Sequence, residues 1–427
     1  MRAKILEAKK ASLEIAASSA SARTAALVRL SEILLKRKKD ILAANKKDCR
    51  AAQDAGLKES LVSRLSLTDA KFSAMIKEVT SVSQQDDPVG KVLSAMLLDK
   101  GLVLSKISVP LGVICAIFEA RPDAMVQISA LLIRTANAGI LKAGKEAKNT
   151  VAVLFECIRD SLRSSQLPED AIQLIETREA IQNLLQYGSM IDMIIPRGSS
   201  SLVRYIQENS RIPVLGHAEG ICHEYVHKSA DLRKAVLICK DAKCQYPAAC
   251  NAMETLLVDS KIAGKFLPQM AKALSGVELR CDTKSYSILR KKGFSVKKAM
   301  ASDWKTEYND LILSVKVVGS LHEAIDHINA YGSKHTDGII AEDNDAAQVF
   351  LSQVDSSSVL WNASTRFADG YRYGKGAEVG ISTSKLHARG PSGMEALLSY
   401  KYVLKGNGQI VADYIGPNAR PFLHRKF

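Results

Sequence analysis

Short apolar runs alternate with helix-like stretches through most of this chain, and no other feature restricts its fold as much. Val109 to Arg121 reads as a buried strand running into a loop at Glu119 to Asp123. An amphipathic helix is expected from Met125 to Ala138, then a strand at Gly139 to Leu141 that ends in Lys142-Ala-Gly-Lys-Glu146. A helix over 149–162, a strand at 172–175, a helix near Ile181 and a strand at Met190 to Ile195 continue the series. Strand alternating with helix predicts parallel, doubly wound sheets.

The pattern repeats after a short strand at Ile212 to Leu215. A strand surrounds Tyr225, a helix follows over 232–242, and Thr255 to Val258 is a buried strand. Alternation runs on to Leu313, with a helix at Leu321 to Asn329, a strand edge at Ile339-Ile340, and a strand from Val359 that ends in polar side chains at Arg366. Pockets in open α/β sheets are expected at such strand ends. Met1 to Ile76 is helical scaffold, since Leu27, Leu30, Ile33, Leu34 and Ile41 recur at helical spacing. Val92 to Val109 predicts a hairpin turning at Lys100-Gly101. Gly370 to Gly393 is expected to wrap irregularly, and Tyr400 to Leu404 and Gln409 to Ala412 to form a hairpin about Gly406-Asn-Gly408.

At 427 residues the chain exceeds one ordinary core, so two or three domains are expected. No apolar run approaches a bilayer span, and the first 25 residues lack a signal-peptide core. Eight cysteines without regular spacing suggest free thiols in a reducing compartment, hence the cytoplasm. The net charge is +14, which raises nucleic acid as a partner. Against that, Lys and Arg are spread along the chain, and aromatics at 5% are too few for a base-stacking platform. Anionic small ligands account for local basic sites equally well.

Two stretches carry chemistry. Asp241 to Val258 places Cys250 on a tight loop among Pro247, Ala248, Ala249, Asn251 and Ala252, directly before a strand. A single cysteine is more often simply buried, but this setting suits a nucleophile. No Cys-x-x-Cys spacing occurs, Cys222-His223 stands alone, and so no metal is expected, with Cys244 the only nearby thiol. The second stretch, Pro196-Arg-Gly-Ser-Ser-Ser201, joins a strand to a helix. That is phosphate-binding architecture, or an ordinary serine-capped helix. No G-x-G-x-x-G occurs.

Together these segments resemble the γ-glutamyl phosphate reductase branch of the aldehyde dehydrogenase superfamily over nearly the whole chain. The likeness is sharpest at GVICAIFEARPD from Gly112, ILKAGKEA from Ile140, CNAMETLLV from Cys250, WNASTRFADG from Trp361 and EVGISTSKLHARGPSGMEAL from Glu378. AIDHINAYGSKHTDGI from Ala324 is similar to a signature of that branch alone. The resemblance implies an α/β, aldehyde dehydrogenase-like fold with two doubly wound parallel-sheet domains and a small β-flap for oligomerisation. It implies reduction of γ-glutamyl 5-phosphate to glutamate 5-semialdehyde by NADPH, in proline biosynthesis. The family nucleophile falls on Cys250: its thiolate expels phosphate to leave a thioester, which hydride takes to the aldehyde. Catalytic roles are implied for Cys250, Arg121 and Asn251, with Arg121 serving the oxyanion, the phosphate or the substrate carboxylate. Lys142, Lys145, Gly198, Ser199 and Glu307 match cofactor-binding positions. Ser364, Thr365 and Arg366, or Arg389, are candidates for the substrate's amino-acid end.

Where hydrolytic relatives carry a water-activating Glu, this chain has His217, with Glu219 nearby, and that favours reduction over hydrolysis. Tyr246 stands where the family commonly has Arg, and Ala249 where Val is usual. The resemblance divides the chain into an NADPH-binding domain over 1–218 with flap hairpin 92–109, a catalytic domain over 219–389, and C-terminal strands over 390–427. A homodimer or homotetramer is expected, with a separate glutamate 5-kinase as a possible partner, and neither nucleic acid nor membrane. The competing readings are a CoA-acylating or ordinary aldehyde dehydrogenase, and a basic binding protein that has lost catalysis.

Overall fold

The structure, a computed structural model of the chain, describes residues 1–175 and 180–427. It divides into two compact units. The first comprises Met1–Leu215, Lys375–Val379 and Gly393–Phe427; the second comprises Gly216–Gly374 and Gly380–Ser392.

The first unit holds a parallel sheet of β3 (Val113–Phe118), β4 (Ala138–Ala143), β5 (Ile172–Leu174) and β6 (Met193–Arg197), in the order β5-β4-β3-β6. Every residue of β3 and β4 is buried, as continuous apolar runs in a covered parallel sheet require. One face packs Ile5 and Ala8 of the helix Arg2–Ala16 against Cys115, Ile140 and Ile194. Helices Ala20–Lys36, Asp69–Gln84, Pro122–Arg134 and Lys148–Ser164 pack with one another in the same unit. Ser19 and Thr68 cap the first two by accepting from the backbone N–H of Ala22 and Lys71. The Lys148–Ser164 helix is held from outside, because the Asp48 carboxylate accepts from the N–H groups of Asn149 and Thr150.

A separate antiparallel sheet in this unit is the flap. It contains β1 (Val92–Asp99), β2 (Leu102–Pro110), β16 (Leu398–Lys405) and β17 (Arg425–Lys426), ordered β16-β2-β1-β17. The hairpin turns at Lys100-Gly101, where Gly101 takes a left-handed φ of 76°. The second C-terminal hairpin does not form. Gln409–Ala412 is not a strand, and residues 411–414 make a short 3-10 turn instead. β16 has its partner in β2 across eight aligned pairs, and the Gln409 side chain bonds the Lys100 carbonyl and the Asn407 N–H. β16 therefore stays an edge strand, with Gln409 held through its side chain and not by backbone pairing. Ile212 to Leu215 is likewise not a strand, since only Val214 bridges to Ile194. β6 begins at Met193 rather than Met190, which closes a turn onto the Tyr187 carbonyl.

The second unit is built on a seven-stranded parallel sheet. Its strands are β7 (Cys222–Val226), β8 (Met253–Asp259), β9 (Glu278–Cys281), β10 (Lys297–Lys298), β11 (Ile312–Val318), β12 (Thr336–Ile340) and β13 (Ser358–Trp361). The order is β10-β9-β11-β8-β7-β12-β13, so Ile339 and Ile340 lie inside the sheet and not at its edge. Met253, Leu256 and Val258 face a core shared with Phe266 and Met270, while Tyr225, Leu257 and Ile339 face Ile325, Ile328 and Phe350. Truncating a leucine so fully enclosed costs about 2–5 kcal/mol. Asp231 and Asp259 cap the helices Leu232–Cys244 and Ser260–Ala273. Within the Gly-rich stretch, β14 (Gly380–Ser382) and β15 (Gly390–Ser392) make a short antiparallel pair. It is thus more regular than its composition predicts.

Candidate active site

The helix Leu232–Cys244 ends where Pro247 forbids continuation, and two tight turns follow. Ala249 N–H bonds the Tyr246 carbonyl, and Ala252 N–H bonds the Ala249 carbonyl. Cys250 rides half-buried on these turns, three residues before β8. Gly220 lies flat against it, and a methyl group there would run into the Cys250 carbonyl. That carbonyl accepts from the Cys222 thiol at 3.3 Å. Asn251 is buried, and its amide donates to the Ala368 carbonyl at 2.9 Å. The side chain of Asn251 therefore pins the loop to the segment 364–368.

Two histidines meet the cysteine. One ligand atom from each of His217, Cys250 and His335 lies within 4.8 Å of the other two. The imidazoles pack edge to face with centroids 4.7 Å apart. His217 Nδ1 lies 2.7 Å from the Ile381 carbonyl, which can only accept, so Nδ1 carries the proton. His335 is fully buried, with Nδ1 2.9 Å from Thr336 Oγ1 and Nε2 without a hydrogen-bond partner. Cys222 opens β7 and His335 immediately precedes β12, so the cluster gathers at the amino ends of β8, β7 and β12. After Trp361 the chain turns back, and Thr365 N–H bonds the buried Glu224 of β7 at 3.1 Å. Burial holds the Glu224 carboxyl far above the usual carboxylate range.

That returning segment carries Arg366, 8% exposed, with Nε donating to the Gln245 side chain at 3.0 Å. Its guanidinium lies 5.9 Å from the centre of the Tyr246 ring. Burial lowers the Arg366 pKa, and proximity to Cys250 opposes that shift. Tyr246, in the place where the resemblance expects arginine, thus lies against the Arg366 guanidinium. Ser364 Oγ accepts from the Arg366 N–H, and Thr365 is fully buried, so both hydroxyls shape the segment.

The Glu307 carboxylate accepts from the N–H of Gly220, and burial, above all, raises its pKa. Arg389 is committed elsewhere: it donates to Asp355 at 2.9 Å, and Lys334 and Lys385 pair with the same carboxylate. Those cations, Lys385 first, hold Asp355 well below the usual range. A pair without any local motif supports the cysteine loop from beneath. Lys243 and Glu254, 0% and 1% exposed, meet at 2.6 Å. Burial lifts the Glu254 carboxyl to about 7 despite the lysine. Their opposite charges at the two ends of a short apolar loop were the one available sign.

In the first unit, five candidates come off the carboxyl edge of the four-stranded sheet. Arg121 precedes the helix Pro122–Arg134, just after β3. Lys142 is buried in β4 and donates to the Ala143 carbonyl, and Lys145 opens a 3-10 turn after the strand. Gly198 and Ser199 link β6 to the helix Ser200–Asn209. A side chain on Gly198 would meet the Glu119 carboxylate at 2.6 Å, and that carboxylate accepts from Ser199 N–H at 3.0 Å. The Glu119 carboxylate thus takes up the Ser199 N–H and holds the turn in shape.

A parallel sheet with a phosphate-type turn and a second sheet with a cysteine on a loop define the aldehyde dehydrogenase class. Residues 1–286 match the aldehyde dehydrogenase family, and the chain belongs to it. Within the family it is similar to curated γ-glutamyl phosphate reductases. The one from Methanosarcina barkeri is 51% identical, covering 100% of this chain and 97% of that protein. The one from Cyanothece sp. is 52% identical, over 98% and 96%. The crystal structure of γ-glutamyl phosphate reductase from Thermotoga maritima superposes with a TM-score of 0.92 at 38% identity, covering 95% of this chain and 98% of that one.

Proposed function

We propose that the chain reduces γ-glutamyl 5-phosphate to glutamate 5-semialdehyde and phosphate with NADPH, the second step of proline biosynthesis from glutamate. The observation that carries this reading is Cys250, half-buried on a loop with His217 and Arg366 around it. The Cys250 thiolate attacks the acyl carbon, the bond to the phosphate oxygen breaks, and a thioester remains. Arg366 stabilises the thiolate and the departing anion. The backbone N–H of Cys250 supports the oxyanion, with Arg121 as the side-chain candidate. Asn251 positions the loop. His217 stands where hydrolytic relatives carry a water-activating Glu, which supports reduction over hydrolysis of the thioester. The reduced dinucleotide supplies the hydride that brings the thioester to the aldehyde level. Lys142, Lys145, Gly198 and Ser199 would hold its phosphates and ribose, and Glu307 its nicotinamide end. Arg366 is the primary candidate for the substrate's charged end, with Ser364 and Thr365 shaping its segment and Arg389 contributing through Asp355.

Residues 1–218, with the flap hairpin 92–109, then serve the cofactor, 219–389 the chemistry, and 390–427 the C-terminal return and oligomerisation strands. The flap exposes Val92, Leu93, Tyr402 and Leu404, which supports a homodimer or homotetramer formed through it. Among the described residues no helix is long and apolar enough to cross a membrane. The assigned compartment is the cytoplasm, with a separate glutamate 5-kinase handing over the labile acyl phosphate. The decisive assay is phosphate-dependent reduction of NADP+ with pyrroline-5-carboxylate, the cyclised product. Activity that requires phosphate supports the reading, and phosphate-independent activity overturns it.

A further inference from the structure

The three side chains that meet at Cys250 come from three distant parts of the chain, and the reduction uses only one of them as a nucleophile. Their chemistry is that of a soft-metal donor set: one thiolate sulfur and two imidazole nitrogens. We propose that Cys250, His217 and His335 form a binding site for a zinc-like divalent cation, and that the cation reversibly caps the nucleophile.

Three observations support this. First, ligand atoms within 4.8 Å of one another need only small side-chain rotations to share one ion, given metal–ligand bonds of about 2.0–2.3 Å. Second, His335 is 0% exposed and its Nε2 has no hydrogen-bond partner. With Nδ1 engaged by Thr336 Oγ1, Nε2 is the ring nitrogen left to take a ligand. Third, His217 donates its Nδ1 proton to the Ile381 carbonyl. That fixes the tautomer with the lone pair on Nε2, the outer-shell arrangement that metal-ligating histidines use. The His217 segment is also held in place, since Ile221 N–H bonds Ser333 Oγ two residues before His335.

The charge balance is workable. The thiol releases its proton to solvent on binding, so one thiolate and two neutral imidazoles leave the site with a charge of +1. Arg366, near Cys250, opposes the cation, while Glu307, beside His217 and Glu219, adds negative charge next to the cluster. The fourth position is left for water. A capped sulfur can neither attack an acyl phosphate nor enter the oxidation ladder, so the ion protects the thiol while it inhibits.

The test is alkylation of Cys250 by iodoacetamide, followed by peptide mass spectrometry on the full chain. Excess Zn2+ should slow alkylation of Cys250, and EDTA should restore it. In His335→Gln the zinc concentration for half-protection should rise by about 10–100-fold. Unchanged alkylation in zinc, or equal protection of wild type and His335→Gln, overturns the site. Should that variant fold poorly, Co2+ added to the wild type gives a second reading. A thiolate-to-cobalt charge-transfer band that disappears in Cys250→Ala supports the site, and its absence from the wild type refutes it. Neither readout uses substrate, so the proposed reduction and the metal site stand or fall separately.

Discussion

The two parallel sheets of this chain carry their proposed site residues at opposite ends of their strands. In the four-stranded sheet, Arg121, Lys142, Lys145, Gly198 and Ser199 lie at the carboxyl edge, where helices begin. In the seven-stranded sheet, Cys250, Cys222 and His335 lie at the amino edge, where the helix Leu232–Cys244 ends. The difference is electrostatic. Helix starts offer free N–H groups and partial positive charge, which suits phosphates. Helix ends offer carbonyls and partial negative charge, which disfavours a thiolate. A nucleophile placed there needs a side-chain cation, and Arg366 is the buried one beside it.

Four experiments sharpen or break that contrast. The largest effect is expected from Cys250→Ala, which should lower phosphate-dependent NADP+ reduction by at least about 10³-fold without altering cofactor binding. Residual activity near wild type would remove the amino-edge site altogether. Next, Arg366→Gln should lower kcat/KM by about 10²-fold and depress the profile of Cys250 alkylation rate against iodoacetamide concentration. An unmoved profile would show that the thiolate does not depend on this cation. Gly198→Val tests the carboxyl edge, where the new side chain must displace the Glu119 carboxylate. Affinity for NADP+, followed by fluorescence titration, should fall by about tenfold or more while Cys250 alkylation stays unchanged.

The smallest effect concerns the helical layer of the first unit. Burial lifts Glu78 to about 7, and the Gln127 side chain only partly offsets this. Its folded pKa lies above the unfolded one, so the folded state binds the extra proton and stability falls as pH rises from about 4.5 to 7. Glu78→Gln should therefore stabilise by about 1 kcal/mol at pH 8 and by almost nothing at pH 4. Equal melting shifts at both pH values would contradict the buried carboxyl.

Much of this was legible in the chain because buried parallel strands are short, apolar and bounded by turn residues. β3, β4 and β8 are of that kind, and the Cys250 loop announces itself through Pro247 and its small neighbours. What escaped depended on pairing partners that local pattern does not encode. Gln409–Ala412 makes no strand, since the Gln409 side chain bonds Lys100 and Asn407 and leaves β16 at the edge of its sheet. The pairing of Arg389 with Asp355 has no sign in the local sequence. His217 and His335 carry no spacing signal, since only the adjacency of β7, β8 and β12 brings them together.

The Lys243–Glu254 pair has a consequence for how such a chain can change. With both partners sealed from water, replacing either one alone strands a charge in the interior, at a cost of about 3–5 kcal/mol. Replacing both at once by apolar residues of similar volume costs far less. The two positions therefore form an epistatic unit, with a fitness valley between their charged and uncharged forms. Drift through single substitutions is blocked at the very helix and strand that flank the cysteine, which makes this loop slow to diversify even where its own side chains are free to vary.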